Sequence, residues 1–158
     1  MKRLLVVWHT QFGATGQLAA ASIEGARLSP GVIVEAHRAF DAGVEPMLAA
    51  DGYLFAASEN FGGLAGAVKD FFERVYYPCE GRLDGRPWTA IVCAGNDGAG
   101  AALGLERIAT GLRLRKALPV YVYRSGVTAQ RHVVPDDALA RAREHGATLA
   151  AGIEAGLY

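Results

Sequence analysis

The chain has 158 residues, 51% of them hydrophobic, which suffices for one sizeable core and fits the span of a single domain, residues 1–158. Basic and acidic residues balance at 16 each, so no net field favours nucleic acid or an anionic membrane surface. Apolar runs such as LLVVW and WTAIVCA are far too short to span a bilayer, and Met-Lys-Arg leads into a strand rather than a signal pattern, so a cytoplasmic protein acting on a small molecule or another protein is expected.

Along the chain, runs rich in Val, Ile, Leu and Tyr at 3–8, 32–36, 52–57, 88–94 and 118–124 are apolar throughout rather than alternating, as strands covered on both faces read. Between them, helical spacing predicts helices at 15–27, 45–50, 64–77 and 100–116, with a last one over about 135–156. LSPG at 28–31 ends the first helix and LDGRP at 83–87 sets a turn before the fourth strand. Pro135-Asp136-Asp137 starts the last helix with a proline and two first-turn carboxylates. Strand and helix alternate, which predicts an α/β fold built on a doubly wound parallel sheet.

In such a sheet the ligand crevice lies beyond the carboxyl ends of the strands. Three loops at that edge stand out: HTQFGATG after the first strand, SENFGGLAG after the third and AGNDGAGA after the fourth. RAFDAG and RSGVTAQRHVVP read as less specialised. In the first loop Thr10 and Thr15 carry hydroxyls, Gly13 and Gly16 allow close approach of the backbone, and a helix N-terminus opens into the same turn, which suits a phosphate dianion. The loop lacks both the Walker ending and Gly-x-Gly-x-x-Gly, and with no lysine near, neutralisation falls to backbone dipoles and hydroxyls alone. A tight turn with an ordinary threonine cap is the structural alternative.

In the second loop, polar backbone, Phe61 and the pair Gly62-Gly63 suit a flat heterocycle, or else Phe61 simply anchors the loop to the core. In the third, Gly95, Gly98 and Gly100 let the chain wrap a ligand, with Asn96 and Asp97 as polar contacts, or else form a flexible glycine turn. His9, His37, His132 and His145 have no metal-ligand spacing, and Ser58 has no nucleophile-elbow context. Glu59 either tunes a bound cofactor by its charge or is a solvated carboxylate, and Lys69 and Arg74 are expected in solvent. Cys79 and Cys93 are not spaced as a pair, so neither a disulfide nor thiol catalysis is expected.

On these loops the chain resembles the flavodoxin-like superfamily, most closely its NAD(P)H-dependent FMN reductases and the quinone reductases historically called tryptophan-repressor-binding proteins. Residues 10–16, TQFGATG, stand where those proteins have a Ser/Thr-x-x-Gly-x-x phosphate loop. Residues 51–75 resemble their third strand, isoalloxazine loop and following helix, and 83–101 their Leu-x-Gly-Lys-Pro turn, fourth strand and glycine-rich loop. The resemblance runs to about residue 124 and implies a three-layer, five-stranded parallel sheet of order 2-1-3-4-5. It implies that Thr10, Gln11, Phe12, Gly13, Ala14 and Thr15 hold the phosphate of FMN, that Glu59, Asn60, Phe61 and Gly62 meet the isoalloxazine and ribityl chain, and that Gly95, Asn96, Asp97 and Gly98 close the other side. Two residues depart from the pattern. Ser58 stands where many relatives have proline, and Asp97 places an anion in a loop they keep neutral, where it would repel flavin or phosphate if turned inward.

The activity implied is transfer of electrons from NAD(P)H through FMN to a quinone or other small acceptor. The alternatives are a flavodoxin-type carrier serving a protein partner, which would usually be markedly acidic, and a flavin-free regulatory module. The residues do not choose between NADH and NADPH, or between a monomer and a homodimer or higher homo-oligomer.

Overall fold

The computed structural model describes residues 1–126 and 131–158. Within them, β1 (Lys2–Trp8) leads to α1 (Ala14–Ala26), β2 (Val32–Arg38), α2 (Val44–Ala49), β3 (Gly52–Asn60), β4 (Gly63–Leu64) and α3 (Gly66–Cys79). Then follow β5 (Pro87–Ala94), α4 (Ala99–Gly111), β6 (Arg115–Lys116), β7 (Tyr121–Arg124) and α5 (Asp136–Glu154).

The sheet order is β2-β1-β3-β5-β6, with β7 also beside β5 and β4 beside β3. All pairings are parallel except β3 with β4. The sheet thus has seven strands in place of the expected five in order 2-1-3-4-5. The extra ones are β4, which folds back on β3, and a division of the last strand into β6 and β7. That division also shortens α4, expected to run to 116. Leu112 closes the helix, Arg113 turns left-handed at φ 55°, and the chain re-enters the sheet at Arg115. Pro119, with no N–H to give a ladder, lies in the gap before Tyr121.

Uniformly apolar strands bury side chains on both faces, and the helices divide accordingly. Leu5, Val7, Tyr53, Phe55, Trp88 and Val92 pack with Met47 of α2, Phe71, Phe72 and Val75 of α3 and Leu105 of α4. Leu4, Val6, Leu54, Ile91 and Cys93 face Leu18 of α1 and Leu149 and Ile153 of α5. Two glycines let α1 and α5 approach closely: a Cβ on Gly25 would overlap the Arg143 carbonyl, and one on Gly146 the Ser22 carbonyl. This contact fixes α1, and hence its N-terminus, against the sheet.

Arg74 was expected in solvent, yet its guanidinium donates to the Ala39 and Ala42 carbonyls at 2.7 and 2.8 Å, holding the chain after β2 against α3. No described helix is long and apolar enough to cross a membrane.

Candidate functional site

Beyond the carboxyl ends of β1, β3, β5 and β7 lies a cleft of about 520 Å³, a size suited to a cofactor. Thr10, Gln11, Phe12, Ala14 and Thr15 line one part of it, Ser58, Glu59, Asn60, Phe61 and Gly62 a second, and Gly95 and Asn96 a third. Of the residues that the resemblance assigns to FMN, Gly13, Asp97 and Gly98 do not line it. Gly13 and Gly98 are the left-handed N-caps of α1 and α4, at φ 99° and 72°.

The two helix N-termini at this edge differ in what satisfies them. At α4, Asp97 Oδ1 accepts from Ala99 N–H at 3.0 Å and Glu59 Oε2 accepts from Ala101 N–H at 3.1 Å. Two carboxylates thus complement the positive end of that helix. Asp97 therefore does not turn inward, and Glu59, though it lines the cleft, is committed to α4 rather than solvated. At α1 the first turn carries no acidic residue and no side-chain cap. Thr10 Oγ1 accepts from Gly13 N–H at 3.0 Å, and the first intrahelical bond runs from Gln17 N–H to the Gly13 carbonyl. The amides of Ala14, Thr15 and Gly16 have no partner within the helix, and they head an uncompensated dipole at the cleft wall. The Thr10 hydroxyl, already an acceptor, still has its own proton to donate.

Opposite, β3 and β4 form a hairpin with Asn60 paired to Gly63. Phe61 and Gly62 are its two-residue turn, both at positive φ, 52° and 71°, as a type I′ turn requires. Phenylalanine is a poor residue for that conformation, and its ring is fully exposed beside the cleft. In the same wall, the hydroxyl oxygen of Ser58 is buried without a hydrogen-bond partner. An unpartnered hydroxyl beside a cleft is a candidate hydrogen-bonding group for a ligand.

No family model matches the chain. It is 31% identical over 112 residues to a flavodoxin of Aquifex aeolicus, covering 71% of this chain and 60% of the relative. It is 28% identical to an NAD(P)H dehydrogenase (quinone) of Acidithiobacillus ferrooxidans, covering 71% of this chain and 66% of that one, so it spans less than two thirds of either. Among solved structures, a flavodoxin from the domain Archaea superposes with a TM-score of 0.77 at 14% identity, over 96% of this chain and 99% of that one. The flavodoxin, WrbA-like protein from Agrobacterium tumefaciens gives 0.74 at 17%, over 98% and 99%. The fold is flavodoxin-like.

In this flavodoxin-like chain the cleft has a further wall that the loop composition did not signal. Cys93, Ser125, Gly126 and His132 also line it. Burial pushes the Cys93 thiol up, against the hydrogen bonds of Ser125 and Thr15, so it stays a neutral thiol in the cleft floor. Ser125, Gly126 and His132 belong to RSGVTAQRHVVP, which reads as less specialised in the sequence; of it, residues 127–130 lie outside the described ones. The clue was its length together with Arg131-His132. His9 does not line the cleft: its ring packs edge-on against Phe40 at 5.5 Å, and its Nδ1 is buried without a partner. Among the described residues no group of three His, Cys, Asp or Glu side chains could hold a metal ion.

Proposed function

We propose that the cleft holds FMN and that the protein moves electrons from NAD(P)H to a quinone or another small acceptor. The observation that supports this best is the uncompensated N-terminus of α1 facing, across one cleft, a hairpin that offers an aromatic side chain and an orphaned hydroxyl. The amides of Ala14, Thr15 and Gly16 and the Thr10 hydroxyl would hold the phosphate. Glu59, Asn60, Phe61, Gly62 and the Ser58 hydroxyl would meet the ring system and its chain, with Gly95 and Asn96 on the other side. Asp97 and Gly98 act instead through α4, at its N-terminus. Bound FMN would supply the redox chemistry, accepting a hydride and passing electrons on, so the protein has to bind, orient and tune rather than provide an acid or base.

The wall after β5 brings only Gly95 and Asn96 to the cleft, with no aromatic ring to cover that side. A second flat molecule, nicotinamide or quinone, can enter there. The 31% match to a flavodoxin favours an electron carrier as the second reading. The balanced charge weighs against it, since a carrier steered to a basic partner needs a negative face. Steady-state oxidation of NADH and of NADPH by the FMN-loaded protein, with a small quinone as sole acceptor, separates the two. Turnover without a protein partner supports the reductase. Bound FMN that neither dinucleotide reduces supports the carrier.

A further inference from the structure

Residues 131–134 form a strap across the open end of α1. Gln17, in the first turn, donates from Nε2 to the His132 carbonyl at 2.7 Å and to the Gly13 carbonyl at 3.2 Å, while its Oε1 accepts from Val134 N–H at 3.0 Å. His132 N–H reaches the Phe12 carbonyl at 3.4 Å, and His132 Nε2 lies 2.7 Å from the Tyr123 hydroxyl. The strap is thereby tied to the loop after β1 on one side and to β7 on the other. Its first residue, the exposed Arg131, is laid over Gly13, with Cγ and Nε 3.8 and 4.0 Å from where a Gly13 Cβ would stand. Gly13 leaves that space open in a left-handed conformation that other residues rarely adopt.

We propose that Arg131 is the charged member of the phosphate site, closing over the anion held by the first-turn amides of α1, and that it makes the cleft select FMN over riboflavin; this rests on the FMN reading above. Neither lysine nor arginine occurs in the loop after β1, and the first turn of α1 contributes only the partial charge of a helix end, about half a unit. A phosphate dianion leaves most of its charge unanswered there. A guanidinium placed over the loop answers it with planar, charge-assisted hydrogen bonds. Ser58, whose hydroxyl oxygen has no hydrogen-bond partner, lines the same cleft. The sequence pattern concealed the cation because Arg131 lies more than a hundred residues from the loop it serves.

The test is titration of flavin-free protein with FMN and, separately, with riboflavin, followed by flavin fluorescence, for the unmodified chain, Arg131→Gln and Arg131→Lys. Arg131→Gln is expected to weaken FMN about 10- to 100-fold while leaving riboflavin unchanged, and Arg131→Lys to recover part of the loss. Equal weakening of both flavins would make the strap a general support and overturn the proposal. FMN affinity unchanged in Arg131→Gln would also overturn it while leaving the cofactor reading intact. An unmodified chain that binds neither flavin would overturn the cofactor reading and this inference with it. Unchanged melting temperatures of the flavin-free variants show that any loss arises at the site.

Discussion

Gly100 packs on Gly62 so closely that a Cβ on Gly100 would overlap the Gly62 carbonyl oxygen. The first turn of α4 and the Phe61 hairpin are therefore one unit, with Glu59 bonded to the Ala101 amide beside them. Gly100→Ala should force the hairpin away, costing about 1–3 kcal/mol and weakening flavin binding. Gly66→Ala, at a helix position with open space around it, should be neutral or gain up to about 1 kcal/mol. Urea unfolding of both variants checks this; equal effects would show that the contact does not constrain the hairpin.

Asp97, one residue before the N-cap Gly98, accepts from the Ala99 amide, so its charge serves the first turn of α4. Asp97→Ala should cost about 0.3–1 kcal/mol in thermal or urea unfolding and leave FMN affinity unchanged. Tighter FMN binding in Asp97→Gly would instead mean that the carboxylate obstructs the cleft.

Phe61 holds its ring at the cleft at the expense of a left-handed backbone. Phe61→Gly should stabilise the turn by about 1 kcal/mol and at the same time weaken binding of FMN or of the second substrate. A variant that is both less stable and unchanged in binding would assign the ring to packing.

Strands β1, β3 and β5 were legible because uniformly apolar runs point to burial on both faces, and the end of α1 and the start of α5 were legible from LSPG and from Pro135-Asp136-Asp137. The end of α4 was not: Leu112 and Leu114 continue the apolar spacing, and only the left-handed turn at Arg113 diverts the chain into β6. The hairpin was missed because phenylalanine at its first turn position is a residue that type I′ turns disfavour. At the site, loop composition named most of the cleft lining. It could not say which way Asp97 turns, since its partner is a backbone amide, nor that Gln17 binds the strap, since those partners are more than a hundred residues away.

Two histidines make stability depend on pH. His9 is held below the ordinary histidine range by burial and then by Arg38, and His145 by burial, opposed by a backbone hydrogen bond at Ala90. A folded-state pKa below the unfolded value means that the unfolded chain takes up protons first as pH falls. The stabilisation is fully present above about pH 6.5 and is lost as pH drops through the folded-state values. Melting temperature should therefore decline on acidification below about pH 6.5, and His145→Gln should flatten that decline. An identical slope in the variant would remove His145 from the account.

The most direct measurement is the absorption spectrum of the untreated purified protein, with mass spectrometry of whatever heating releases and titration of the flavin-free chain with FMN. A yellow protein that releases FMN, or a colourless one that takes it up one to one, is the predicted result. A colourless protein that ignores added FMN would contradict it.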